Sequence, residues 1–137
     1  MFIGYSNGIL RNYIISENND NFSKAWEIPA HRGKISSIFV DGNYIITGGE
    51  DGIVRVWTRK THELTIQFSA HHSNVFKVFA DLKKPNIIHS CGKDKNLHCF
   101  DIKTQKRANI HSLKNGYITG ITQKKSEPHE ISMIYFF

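Results

Sequence analysis

The sequence predicts an all-β chain built from repeated four-stranded sheets, and three observations predict it. The first is an internal repeat. Gly4–Tyr13, Gly48–Trp57 and Cys91–Phe100 align without gaps at offsets of 44 and 43 residues, and Ile35–Ile38, Val75–Val78 and Ile118–Ile121 repeat at 40 and 43. Such a period is that of a four-stranded propeller blade, about 40–45 residues. The second observation is turn chemistry. Asp51-Gly52 separates the apolar runs Tyr44–Ile46 and Ile53–Trp57, and Asp41-Gly42-Asn43 separates Ile35–Val40 from Tyr44–Thr47, both hairpin signals. The third is the lack of any convincing helical period.

Element by element, strands are expected over 35–40, 44–47, 53–57 and 63–68, with a turn at Thr61-His62 before the last. Ile53–Trp57 is rich in β-branched and aromatic residues, which suit a pleated surface. A matching set follows 40–43 residues later, where Pro85-Asn86 turns the chain after Lys83-Lys84. The expected organisation is two complete blades over 29–69 and 70–110, flanked by half blades over 1–28 and 111–137. Propellers close with roughly 4–8 blades, so the expectation is a section of a ring completed by further residues or by another chain. The uncharged run Ile131–Phe137 needs a strand partner, because a bare apolar edge aggregates.

Composition bounds the function class. The chain has 137 residues, 39% of them hydrophobic, which suits a packed domain rather than disorder. No apolar run approaches the ~20 residues of a membrane-spanning helix, and the N-terminus lacks the pattern of a signal peptide; a cytoplasmic protein off the membrane is expected. The net charge of +6 lies wholly in the second half: residues 1–68 balance, whereas Lys83, Lys84, Lys93, Lys95, Lys103, Lys106, Arg107 and Lys114 crowd the remainder. That asymmetry favours an acidic partner or a solvated lysine-rich surface.

The segment from His31 to Trp57 resembles a full WD40 repeat: it carries the opening His, the Asp-Gly turn, the Thr-Gly-Gly strand end, a second Asp-Gly and the closing Trp. His71–Asp101 resembles a weaker second repeat, and 2–13 and 114–135 resemble parts of two more. The resemblance implies a buried relay of loop His, strand Ser/Thr, turn Asp and strand Trp, here His31, Thr47, Asp51 and Trp57. Such a network satisfies every buried polar member and stiffens the blade. The matching residues of the next unit are His71, Ser90, Asp94 and Phe100; Phe100 has no N–H, so that relay is expected to be incomplete. Asn7 and Tyr13 hold the same places in the first unit, and Lys114 stands where the fourth would have its His.

Other chemistries fit less well. His89, Cys91, His98 and Cys99 have ligand-type side chains, but no standard metal spacing. With Asp94-Lys95 as turn centre, Cys91 is expected opposite His98, and strand alternation keeps Cys91 and Cys99 apart as reduced thiols. No metal, cofactor or catalytic residue is assigned: no nucleophile elbow or phosphate loop is present, and no helix follows Gly48–Gly52. Phe76, Phe79 and Lys95–Phe100 interleave bases with aromatics in an RNA-binding manner, yet on alternating strands the Phe side is expected to be core. The expected function is therefore a non-catalytic scaffold binding proteins, with Arg32, Glu50, Lys83, Lys84, Lys93 and Lys95 as the candidate partner surface. Ala30–Ile38 followed by Ile46–Trp57 resembles, more narrowly, the WD-repeat cilia- and flagella-associated proteins, which implies an axonemal role on tubulin. The alternatives are a ribonucleoprotein-assembly subunit or a ubiquitin-ligase substrate receptor.

Overall fold

The computed structural model describes residues 1–18, 21–123 and 131–136. Thirteen strands and no helix make up these residues. A three-stranded sheet holds β1 (Phe2–Gly4), β2 (Ile9–Ile15) and β3 (Phe22–Pro29). Two four-stranded meanders follow: β4 (Ile35–Val40), β5 (Tyr44–Gly49), β6 (Ile53–Thr58) and β7 (Leu64–Ser69), then β8 (Val75–Ala80), β9 (Ile87–Gly92), β10 (Asn96–Asp101) and β11 (Lys106–Ser112). A pair, β12 (Tyr117–Gln123) and β13 (Ile131–Phe136), ends the described chain. Every pairing is antiparallel, and the sheets form an open propeller segment. The stretch expected as a half blade over 1–28 forms three strands, and β11 runs past residue 110.

The repeat is visible in fine geometry as well as in strand count. The first strand of each of the last three sheets carries a bulge at the same place, between Ile35 and Ser37, Val75 and Lys77, and Ile118 and Gly120. A bulge leaves one residue unpaired and re-aims its side chain. At Ser36 the hydroxyl donates to Gly48 O at 3.0 Å and to Val75 O of the next sheet. Ser37 then accepts from Val78 N at 3.1 Å.

Packing between sheets forms the core. Ile46, Val54, Val56 and Phe68 of one sheet bury against Val75, Val78, Ile88 and Phe100 of the next, and Phe68 stacks on Phe100 with ring centroids 4.2 Å apart. Gly48 permits this approach, since a Cβ there would lie 2.5 Å from Val75 Cγ1. The central strands β5, β9 and β10 are buried along most of their length, with Thr47, His89, Ser90 and His98 buried among apolar neighbours, and the outermost strand β11 is exposed along its whole length.

The hairpin registers correct one expectation. Cys91 pairs with Leu97, and His98 pairs with Ser90, so Cys91 does not face His98. The turn is centred on Asp94, one half-step from the assumed centre, because Lys95 takes the left-handed conformation (φ 68°) that Gly52 takes in the preceding sheet (φ 75°). Alternation therefore puts His89, Cys91, Leu97 and Cys99 on one face, and both cysteines are buried and unbridged. Burial pushes the Cys91 thiol up to about 12 and raises that of Cys99. Neither is a reactive thiolate.

Candidate functional site

One end of the sheets gathers the polar residues. Strand direction alternates, so the turns β5–β6 and β9–β10 and the connections β3–β4, β7–β8 and β11–β12 share one rim. A repeated latch holds it. Gly8 O, Gly52 O and Lys95 O accept from the backbone N–H of His31, His71 and Leu113 at 3.0, 3.0 and 3.0 Å. All three acceptor residues have positive φ, and at Gly52 a Cβ would sit 2.3 Å from His71 O. Each of these turns therefore pins the chain as it enters the next sheet, bringing a histidine into the rim at the first two latches and Leu113 at the third.

Beneath the latch of the first four-stranded sheet lies a closed network. Trp57 Nε1 donates to Thr47 Oγ1 at 3.1 Å, Thr47 Oγ1 lies 2.8 Å from His31 Nε2, and His31 Nδ1 lies 2.9 Å from Asp51 Oδ1. The directions follow from the carboxylate. Asp51 can only accept, so His31 Nδ1–H donates to it and Nε2 accepts from the Thr47 hydroxyl, with Arg55 Nη1 also 2.8 Å from His31 Nδ1. Asp51 also accepts from Arg55 Nη1 (2.9 Å), Arg32 N (3.2 Å) and Ile53 N (3.2 Å). Thr47 is fully buried and His31 only 8% exposed. Burial lowers the His31 pKa more than Asp51 raises it; burial pushes Asp51 up, but the Arg55 and His31 hydrogen bonds outweigh it and hold the carboxyl below its ordinary value.

The second four-stranded sheet repeats part of this. His71 Nδ1 is 2.7 Å from Asp94 Oδ1 and His71 Nε2 is 2.9 Å from Ser90 Oγ. Phe100 stands in the Trp57 place, so nothing donates to Ser90 from that side. In the first sheet Asn7 Oδ1 caps its turn by accepting from Ile9 N at 3.3 Å, and Tyr13 bonds Tyr5 hydroxyl to hydroxyl at 2.9 Å. Lys114 is exposed.

Sequence reasoning missed Arg55. Its signal was its place four residues after Asp51; the aligned positions are Arg11, which pairs instead with Glu27 at 2.9 Å, and His98. His98 is buried, and burial first, then His71 and Arg107, push its pKa down to about 4.

The candidate partner residues do not form one surface. Arg32, Glu50, Lys93 and Lys95 are exposed on the relay rim, with Lys34 and Lys114 beside them. Lys83 and Lys84 lie in the β8–β9 turn on the opposite rim, where their backbone N–H groups donate to Asp81 Oδ1 at 2.8 and 2.9 Å. Asp41 and Asp101 cap turns there in the same way.

With this geometry in view, residues 22–58 match the family model described as WD domain, G-beta repeat. Residues 22–58 thus carry one WD40-type repeat. The matched span runs from β3 to β6, the last strand of one sheet and three strands of the next, so each WD40 sequence unit staples two blades, and His31 sits at the staple. The chain is 35% identical over 75 residues to "Methylosome protein WDR77" of Xenopus laevis, covering 55% of this chain and 22% of that protein. It is 29% identical over 87 residues to "Protein SOF1" of Saccharomyces cerevisiae, covering 56% and 18%. Against the "Periodic tryptophan protein 2 homolog" of Dictyostelium discoideum it is 35% identical over 63 residues, covering 45% and 7%. The chain thus spans about a fifth or less of these relatives. One chain of the "Crystal Structure of Mitotic Checkpoint Complex" superposes with a TM-score of 0.84 at 20% identity, over 99% of this chain and 43% of that chain, which shows the fold. No helix among the described residues is long and apolar enough to cross a membrane.

The buried histidines are expected to make the blades acid-sensitive. Burial depresses the pKa of His31 and of His89, so the unfolded chain takes up these protons near pH 6.5 while the folded chain does so only at lower pH. Their contribution is complete above about pH 6.5 and falls as the pH drops below it. Calorimetry should show a lower Tm at pH 5.5 than at pH 7.5; a Tm unchanged over that interval would contradict the buried neutral assignment.

Proposed function

We propose that this chain is a non-catalytic WD40-repeat scaffold that takes an acidic protein partner on the relay rim. The observation that carries the reading is the charge placed there. Among the described residues of this rim, Arg32, Lys34, Lys93, Lys95 and Lys114 are exposed against one exposed carboxylate, Glu50, while Asp51 and Asp94 are turned into the relays. A rigid rim of one sign speeds encounter with, and selects for, a surface of the other. Similarity to a methylosome protein and to a TSET complex member supports a place in a multiprotein assembly. Among acidic partners, the resemblance to cilia- and flagella-associated WD-repeat proteins favours tubulin in the axoneme.

RNA is the rival occupant, and two of the aromatics interleaved with basic residues, Phe79 and Phe100, argue against it, although Phe76 is half-buried. Phe79 and Phe100 are 6% and 3% exposed, so they offer no face for a base to stack on. Microtubule co-sedimentation beside RNA retention on a filter separates the two. The full polypeptide should sediment with microtubules, and Lys93→Glu/Lys95→Glu should weaken that binding by roughly tenfold or more, whereas Lys83→Glu/Lys84→Glu on the opposite rim should change it little. Tight RNA retention with a steep salt dependence, and none on microtubules, would overturn the reading.

A further inference from the structure

The two relays differ at one position in a way that leaves a vacancy of charge. In the first four-stranded sheet Arg55 Nη1 occupies Asp51 Oδ2 at 2.9 Å. The aligned residue in the second is His98, which is shorter: its Nε2 stops 3.6 Å from Asp94 Oδ2. Asp94 Oδ2 and both ring nitrogens of His98 are buried without a hydrogen-bond partner, although His98 is only 3% exposed. Buried polar atoms are almost always satisfied, and orphans point to a bound water or ion. We propose that His71, Asp94 and His98 bind one zinc-type divalent cation, in the place that the Arg55 guanidinium holds in the neighbouring blade.

The ligand atoms fit that role. One from each residue lies within 4.8 Å of the others, and two imidazoles with a carboxylate suit zinc-type ions. The edge of a tetrahedron with bonds of 2.0–2.1 Å is about 3.4 Å, close to the 3.6 Å gap between His98 Nε2 and Asp94 Oδ2. Arg107 lies over the Phe100 ring with its Cζ 5.5 Å from the centroid, so it does not itself fill the gap.

The loss of the tryptophan favours the site. A metal-bound imidazole donates its other N–H to an outer partner. Coordination through His71 Nδ1 moves the proton to Nε2, which then donates to Ser90 Oγ, 2.9 Å away; the proton stays on the ring and none is released. Thr47 Oγ1 already accepts from Trp57 Nε1 at 3.1 Å, which takes one of its two lone pairs. Ser90 pairs across the strands with His98, and with Phe100 in the Trp57 place no ring N–H takes a lone pair of its hydroxyl.

The test is equilibrium dialysis of the chelator-stripped full polypeptide against Zn²⁺, read by elemental analysis, with Co²⁺ absorption as a second readout. The wild type should hold one equivalent that His98→Arg lacks, and its Co²⁺ form should show the visible bands of a tetrahedral nitrogen–oxygen site. Arginine copies the neighbouring blade, so His98→Arg should keep the wild-type circular dichroism. Ser90→Ala should bind 10–100-fold more weakly, and Ser90→Thr should bind as the wild type does; this pair decides the matter if His98→Arg does not fold. A wild type that retains no equivalent, or variants that bind as well as it does, would overturn the site and leave a buried water or surface histidines as the explanation.

Discussion

Asp51→Ala is expected to destabilise the protein by about 3–5 kcal/mol, the scale of removing one partner from a buried ion pair. One carboxylate serves His31 Nδ1, Arg55 Nη1 and the backbone N–H groups of Arg32 and Ile53. Its side chain is 10% exposed and that of Arg55 14%, so solvent cannot replace it at either. The variant strands a buried cation, unlocks the histidine tautomer and releases the cap of the β5–β6 turn at once. Asp41→Ala provides the comparison, because Asp41 caps only its own turn, at Asn43 and Tyr44; about 1 kcal/mol is expected there. Urea denaturation of both variants checks the ranking. Equal losses would mean that Asp51 acts as a turn cap and nothing more.

Trp57→Phe is the second large effect, at about 1–3 kcal/mol. The substitution gives the first four-stranded sheet the residue its neighbour already has at Phe100. Thr47 loses the donor held at 3.1 Å while remaining fully buried, and the smaller ring leaves space beside Ile45 and Leu10. A double-mutant cycle with Thr47→Val isolates the hydrogen bond from the packing. The coupling should be favourable; additive losses would place the whole effect in packing.

The strands were legible because the signals that specify them are local and repeated. The Asp-Gly turns and the β-branched run Ile53–Trp57 mark the meander, and the His, Ser/Thr and Asp of the two four-stranded sheets lie at aligned positions, whereas Phe100 adds no bond in the second. What escaped the sequence had weak or non-local signals. β3 is a mostly exposed outer strand, so its burial writes no clear alternation, and 1–28 reads as less than it is. The β9–β10 turn hides its register because a lysine, Lys95, occupies a left-handed position usually marked by glycine. Charge counted along the chain grouped Lys83 and Lys84 with Lys93 and Lys95, yet the hairpin sends the two pairs to opposite rims. Arg55 looked like an outward strand residue; only the fold shows its guanidinium reaching back to the turn.

The central claim is that the relay rim, and not the opposite one, meets the proposed acidic partner. Amine-to-carboxylate cross-linking of the protein in its native assembly, read by mass spectrometry, addresses it directly. The account predicts links from Lys34, Lys93, Lys95 and Lys114 to acidic segments of another protein, with few from Lys83, Lys84 and Lys103. Links concentrated on those last three lysines, or spread evenly over both rims, would contradict it.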